Sequence, residues 1–144
     1  MMLYLEYERF KRKYNDAQAV YDSILTEREE LFQRTQPKAV DTEQEKVSSC
    51  PQADAFAAYL VEKERKRIDE RLNEAKDCFE ERLIILTQKE SDLRASKQVD
   101  DRIYTMRMLD RVRIKRIAKA INYSESHVKR RLRKIRQKIK DDTF

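Results

Sequence analysis

Residues 101–140 read DRIYTMRMLDRVRIKRIAKAINYSESHVKRRLRKIRQKIK, and apolar residues recur through them at helical spacing. Two segments each place apolar side chains three or four positions apart, so that they fall on one buried stripe of a helix. The first stripe comprises Ile114, Ile117, Ala118 and Ile121, and the second comprises Val128, Leu132, Ile135 and Ile139. The spacing predicts two amphipathic helices separated by only a few residues.

The tripeptide Asn122-Tyr123-Ser124 lies between these predicted helices. Asn tolerates the left-handed backbone that ends a helix, and a Ser hydroxyl can cap the first turn of the next one. Ala118, four residues before Asn122, is small enough to let the second helix cross close to the first. A preceding helix is predicted by Ile103, Met106 and Leu109. The pattern favours a three-helix unit that contains a helix-turn-helix.

Positive charge is concentrated in the same stretch. Between Arg102 and Lys140 there are fifteen Lys or Arg residues and two acids, a local charge of +13. Residues 1–101 hold 18 basic and 23 acidic residues, so the net charge of +6 hides a strong asymmetry. A basic end on a mildly acidic remainder is typical of a protein that binds a phosphate backbone. Solubility or non-selective RNA binding would also explain the charge, but not the helical spacing that accompanies it.

Composition excludes several other classes of function. The chain has no Gly, two Pro and 42% charged residues, so Gly-rich phosphate loops and nucleophile elbows are absent, and long exposed helices are favoured. We therefore predict an all-α protein without a catalytic set, that is, not an enzyme. Cys50, Cys78 and the single histidine, His127, cannot supply four metal ligands, and we expect neither a metal site nor a cofactor.

The expected location is the cytoplasm. No stretch reaches the length of a membrane span, and the first residues lack the apolar core and cleavage site of a signal peptide. We therefore expect no membrane association, and the two cysteines are expected to be reduced.

The N-terminal segment carries a nearly unbroken heptad pattern, which predicts a helix from about residue 3 to 34. Its apolar positions are Leu3, Tyr7, Phe10, Tyr14, Ala17, Tyr21, Ile24 and Leu31, with Arg28 in the same register. The heptad-spaced Tyr7, Tyr14 and Tyr21 could also be interpreted as a platform for stacking bases. The acidic residues around them favour a helix-pairing core instead.

A linker is predicted at about residues 35–52, where periodicity is lost and both prolines lie. A second long helix is predicted at about 53–96. Its apolar positions are Phe56, Leu60 or Val61, Ile68, Leu72, Ala75, Phe79, Leu83, Leu86 and Leu93. Neither long helix can bury its stripe alone, so we expect an antiparallel hairpin or coiled coil.

Ile84 and Ile85 widen the apolar stripe of the second long helix and leave room for a second copy of the chain. We therefore predict a homodimer through the N-terminal helices, although a hairpin folded within one chain would satisfy much of the same pattern. The predicted domains are a helical hairpin and dimerisation region at 1–98 and a DNA-binding unit at 99–144.

The C-terminal region resembles the helix-turn-helix of sigma-factor region 4 and the related domain of phage late-gene regulators of the ArpU and RinA type. The resemblance lies in Ile117-Ala118, Ile121, Tyr123-Ser124-Glu125, Val128 and Arg131-Leu132. Tyr4-Leu5-Glu6-Tyr7, Lys46-Val47-Ser48-Ser49 and the charged helix that follows resemble a family of about this length encoded by phages of low-GC Gram-positive bacteria. The chain departs from these patterns at Asn122, where Gly is usual, and at Arg113, where a small capping residue is frequent.

The predicted interface follows from helix geometry, since positions near the start of the second motif helix meet base edges. With Val128, Leu132 and Ile135 pointing inward, the outward, base-reading set is Glu125, Ser126, Lys129, Arg130 and Arg133. The predicted phosphate contacts are Arg111, Arg113, Lys115, Arg116, Lys119, His127, Lys134 and Arg136. For His127 a solvent-facing or phosphate-facing role is favoured over that of a catalytic base.

These observations predict a sequence-specific double-stranded DNA-binding protein. The resemblance implies a transcription regulator of phage late genes that works in the bacterial host cell, and the similarity to region 4 also allows contact with host RNA polymerase. Two alternatives remain: a phage small terminase subunit, which would also join a helix-turn-helix to oligomerising helices, and a protein-interaction module whose working surface is the hairpin.

Overall fold

The structure, a computed structural model, describes residues 2–35 and 51–143, without the side chains of 51–54. Heptad and helical spacing produce helices along most of these residues. The α-helices are α1 (Leu3–Thr35), α2 (Pro51–Ala95), α3 (Val99–Tyr104), α4 (Ile114–Ile121) and α5 (Glu125–Thr143). A π-helical turn, Thr105–Leu109, follows α3 directly. No strand occurs in these residues, so the all-α prediction is confirmed.

The two long helices begin and end within two residues of their predicted limits. Most of the predicted linker, residues 36–50, and the segment Lys46-Val47-Ser48-Ser49 lie outside the described residues.

Contacts divide the chain into two units that differ from the predicted domains. One, here called the terminal unit, comprises residues 2–15 and 81–143 among those described; the other, the helix-pair unit, comprises residues 16–80. The first turns of α1 and the last turns of α2 thus belong to the same unit as α3, α4 and α5. Whether 1–98 and 99–144 behave as separate domains stays a prediction, but the C-terminal helices share their core with both long helices.

The helix-pair unit is an antiparallel pairing of α1 with α2. Its core cluster contains Ile24, Leu31, Ile68 and Leu72, as the heptad spacing predicts. The rings of Tyr21 and Phe79 stack with centroids 5.8 Å apart. Two ion pairs cross the helices, Arg71 with Glu27 at 2.9 Å and Arg28 with Asp69 at 3.4 Å.

The predicted stripe of α2 is only partly buried. Phe56 is 62% exposed, Leu60 47% and Leu83 41%, whereas Leu86 and Leu93 are buried in the terminal unit. A pair of helices covers only the side on which they meet, so residues of a wider stripe remain at the surface. The widening residues Ile84 and Ile85 are exposed as well.

Aromatic residues at the start of α1 form the centre of the terminal unit. Tyr4 and Tyr104 are completely buried, and their rings stack with centroids 5.6 Å apart. Tyr7 meets Tyr104 edge-on at 6.2 Å, and the Tyr104 hydroxyl donates a hydrogen bond to Glu8. The helices of the C-terminal stretch therefore pack around rings supplied by the other end of the chain.

Asp101 links the same two regions through hydrogen bonds. Its buried carboxylate accepts the backbone N–H of Tyr4 at 3.2 Å and the hydroxyl of Ser96 at 2.7 Å. The Tyr4 N–H lies in the first turn of α1, where backbone donors have no partner within the helix. A carboxylate from α3 thus caps α1, and the negative charge is favoured by the positive end of the helix dipole.

The far end of α5 is also attached to α1. Asp142 accepts hydrogen bonds from Arg9, at 2.5 to 3.2 Å, and from Arg12 at 3.0 Å. No helix in the described part of the chain is long and apolar enough to cross a membrane.

Candidate nucleic-acid interface

The helix α4 begins without a side-chain cap. Arg113 has extended backbone at the N-cap position and makes no side-chain cap bond, while its carbonyl accepts the N–H groups of Arg116 at 3.0 Å and Ile117 at 3.1 Å. Ile117 and Ala118 are buried, as predicted. The cations of α4, Lys115, Arg116 and Lys119, lie on the opposite, exposed side of the helix.

The turn between α4 and α5 has the predicted backbone. Asn122 is left-handed, with φ 60° and ψ 38°, and the N–H groups of Asn122 and Tyr123 both donate to the carbonyl of Ala118. Ser124 caps α5 because its hydroxyl oxygen accepts the N–H of His127 at 3.2 Å. Asn at the left-handed position fixes the direction in which α5 leaves the turn.

The helix α5 has one buried face and one charged face. Val128, Leu132 and Ile135 are at most 3% exposed and belong to the same core cluster as Tyr104. All five predicted base-reading residues are exposed: Glu125, Ser126, Lys129, Arg130 and Arg133. Lys134 and Arg136 are exposed further along the same helix. The structure therefore brings the predicted base-reading set together on one helix.

His127 has partners within the protein. Its ring lies 4.6 Å from the ring of Tyr123, and its Nε2 accepts a hydrogen bond from Arg131 at 3.4 Å. Arg131 also pairs with Asp100 at 3.1 Å, so a cation next to the predicted base-reading residues is tied to α3. A phosphate contact by His127 stays a prediction. Charge spacing did not identify the ion pair, because Asp100 lies 31 residues away.

Three predicted phosphate-binding arginines meet around one pocket. Arg111, Arg113 and Arg116, together with Asp110 and Val112, line a pocket of about 440 Å³ between the π-helical turn and α4. Arg111 has a left-handed backbone with φ 54°, which is unusual for a residue with a long side chain. This conformation turns the chain from the π-helical turn into α4.

Arg94 of α2 acts on the same pocket through Asp110. Its guanidinium donates to Asp110 Oδ1 at 3.1 Å and to Glu90 Oε1 at 3.0 Å. These hydrogen bonds, the one to Glu90 first, raise the pKa of Arg94, so the group remains charged. The sequence analysis did not single out Arg94. The i,i+4 spacing from Glu90 was the only local signal of a fixed guanidinium.

The two units have net charges of opposite sign. The terminal unit, counted over residues 1–15 and 81–144, has 23 basic and 11 acidic residues, whereas residues 16–80 have 10 basic and 16 acidic. No group of three potential metal ligands occurs among the described residues. Comparison of the chain with protein-family models, curated proteins and solved structures gave no match.

Proposed function

We propose that the protein binds double-stranded DNA sequence-specifically and that α5 is the helix that reads the bases. The observation that carries this proposal is the division of α5 into a buried face, Val128, Leu132 and Ile135, and an exposed polar face at its start. A helix whose inner face is packed can enter the major groove as a rigid element.

The chemistry of the exposed face fits base edges. Lys129, Arg130 and Arg133 can donate to guanine, Glu125 can accept from cytosine, and Ser126 can do either. The capped turn at Asn122 and Ser124 supports this assignment, because it fixes the angle at which the start of α5 is presented.

The exposed cations of α4 and of the second half of α5 are assigned to phosphates. Lys115, Lys119, Lys134 and Arg136 flank the base-reading set and would fix the register of the protein on the duplex. If six to eight phosphates are neutralised, the slope of log K against log salt is roughly −5 to −7. A slope near zero at a specific site would contradict the assignment.

The experiment is selection of bound fragments from a random double-stranded library at roughly physiological salt. Wild type is compared with the double variant Lys129→Ala, Arg130→Ala, and with Lys11→Ala, Lys97→Ala as a control. The control removes two exposed charges of the same unit, one from α1 and one from the segment between α2 and α3. Wild type and control should enrich one motif, which the α5 variant loses. Recovery of the same unselective mixture by all three proteins would rule out sequence-specific DNA binding.

The resemblance to sigma region 4 and to late-gene regulators supports a role in transcription, with host RNA polymerase as a further partner. Capture of purified bacterial RNA polymerase by the immobilised protein tests only the contact with the polymerase. Failure of capture leaves the DNA-binding proposal unaffected.

A homodimer through the N-terminal helices is the partner proposal, and exposed apolar side chains in the helix-pair unit support it. Phe32 is 62% exposed, Phe56 62% and Tyr59 60%, and an apolar contact with a second copy of the chain would cover these side chains. Sedimentation equilibrium of wild type and of Phe32→Ser measures the association. A dimer weakened by the substitution supports the regulator, whereas a ring of many subunits would favour a small terminase.

A further inference from the structure

One pocket is lined by three arginines, Arg111, Arg113 and Arg116, and by a single acid. A second pocket with three arginines, in the helix-pair unit, is lined by three glutamates as well. In the described part of the chain the side chains of Arg111, Arg113 and Arg116 form no ion pair. The one acid of their pocket, Asp110, is occupied by Arg94, with both Nη atoms 3.1 Å from Oδ1. Their pocket therefore combines three unpaired cations with a carboxylate that is already neutralised.

The loop that carries the pocket is fixed by its own backbone hydrogen bonds. The N–H of Asp110 donates to the carbonyl of Thr105 at 3.0 Å, and the N–H of Val112 donates to that of Met106 at 2.8 Å. Arg107 donates to the Val112 carbonyl at 3.2 Å. These hydrogen bonds lie on both sides of Arg111 and support its left-handed backbone. Such strain is frequent where a ligand is held.

We propose that this pocket, here called the arginine pocket, holds a single phosphate group, and that Arg94 is a positioning residue that keeps Asp110 away from it. The proposal rests on the proposed function for the source of the phosphate, which is one phosphodiester of the bound DNA. Guanidinium groups suit this ligand because their fixed donors match phosphate oxygens. The pocket also lies at the N-terminal end of α4, where the helix dipole favours an anion.

The salt dependence of DNA binding tests how many phosphates the three arginines hold. Each phosphate neutralised contributes roughly 0.9 to the slope, so three residues on one phosphate contribute about 0.9 in total and three separate contacts about 2.7. The variant is Arg111→Asn, Arg113→Gln, Arg116→Gln, in which Asn keeps a residue that tolerates the left-handed backbone.

Its matched control is Lys119→Gln, Lys134→Gln, Arg136→Gln, which removes the same charge from exposed positions outside the arginine pocket. The arginine-pocket variant should lower the magnitude of the slope by about one and the control by nearly three. A loss near three in the pocket variant would overturn the single-phosphate assignment, and so would no loss.

Titration of the DNA-free protein with inorganic phosphate, followed by the NMR signals of arginine side chains, tests the arginine pocket without DNA. Shifts confined to Arg111, Arg113 and Arg116 are expected and should disappear in the triple variant. If phosphate binds there but no DNA is bound, the pocket stands and the proposed function fails. If selective DNA binding is intact and phosphate shifts none of the three, the pocket assignment fails alone.

The positioning role of Arg94 is tested by rescue. Arg94→Ala frees the Asp110 carboxylate to pair with the pocket arginines, so phosphate affinity should fall roughly two- to five-fold. Adding Asp110→Asn removes the competing charge and should restore the affinity. A merely structural role of Arg94 would leave the double variant as weak as the single one, and that result would overturn the assignment.

Discussion

In the terminal unit eight large side chains are less than 2% exposed, whereas the four core residues of the helix-pair unit are each 5 to 9% exposed. The first group contains Tyr4, Leu93, Asp101, Ile103, Tyr104, Ile117, Val128 and Ile135. The two units have the same helical secondary structure, so helix formation does not explain the difference.

The number of helices that meet at the core does explain it. In the terminal unit the core cluster draws on α1, α2, α3, α4 and α5, so each buried side chain has neighbours from more than two helices available to cover it. In the helix-pair unit only two helices meet, and Val20, Phe32 and Phe56 remain more than half exposed. Close packing, and with it a single fixed arrangement, is therefore expected to be strongest where the candidate interface lies.

Replacement of Leu132 by Ala should have the largest effect. This side chain of α5 is 3% exposed, so its truncation leaves a cavity that the surrounding helices cannot fill, and unfolding should become easier by about 3 kcal/mol. Urea unfolding followed by circular dichroism measures the loss.

Leu72→Ala is its counterpart in the helix-pair unit. The residue is 9% exposed in a core cluster of four residues, so water and neighbouring side chains can occupy the space. We expect a loss of about 2 kcal/mol, at the lower end of the range for Leu-to-Ala changes. If Leu72→Ala costs as much as Leu132→Ala, the contrast between the units is wrong.

The next largest effect is expected from Asp101→Ala. The substitution leaves the Tyr4 N–H and the Ser96 hydroxyl without their acceptor and should cost about 2 kcal/mol. Amide exchange at Tyr4 should accelerate in the same variant. Asp101→Asn retains an acceptor oxygen and should lose less, so equal losses in both variants would contradict the capping role.

Alkaline pH should destabilise the terminal unit through its tyrosines. Burial first, then the charges of Asp100 and Asp101, raise the pKa of Tyr4 from 10.0 to about 12. Burial also raises the pKa of Tyr7 and of Tyr104. The folded form holds these protons more tightly than the unfolded chain. The contribution of the neutral Tyr4 hydroxyl to the free energy of unfolding is therefore complete below pH 10 and is lost as the pH rises through about 12.

The absorbance of tyrosinate during an alkaline titration measures this effect. The absorbance change of Tyr4, Tyr7 and Tyr104 should come late in the titration, and Tyr4→Phe should remove part of this late change while keeping the stacked ring. A single transition near pH 10 that includes all seven tyrosines would contradict the expectation.

The smallest effect is expected from Asp142→Ala at the end of α5. Arg9 holds the pKa of Asp142 below its usual value, so the ion pair is present at neutral pH and is lost as the pH falls through that lowered pKa. Because Arg9 and Arg12 are solvent-accessible, the change in Tm should be small at low salt and absent near 1 M salt. A large, salt-independent loss would show that this contact is more than a surface ion pair.

The local spacing of residues was sufficient to predict the helices of the candidate interface and the turn between α4 and α5. Val128, Leu132 and Ile135 are buried because they recur on one face of α5, and Asn122 and Ser124 have backbone and capping preferences that act within a few residues. Such features depend on short-range physics and can be predicted from sequence.

Features that depend on distant residues could not be predicted. Tyr4 is off the main heptad positions, and its burial depends on Tyr104. Asp101 looks like an ordinary surface acid until the start of α1 is brought against it. Arg111 has no intrinsic preference for left-handed backbone, so the arginine pocket is visible only in three dimensions.

The capping of α1 by Asp101 has a consequence for synthesis. The carboxylate and the Tyr4 N–H are separated by 97 residues, so during synthesis this N–H has no carboxylate acceptor until Asp101 has been added to the chain. At about 5 to 20 residues per second, this delay is on the order of 5 to 20 s. During that interval the rings of Tyr4 and Tyr7 also lack the ring of Tyr104, against which they pack in the folded protein.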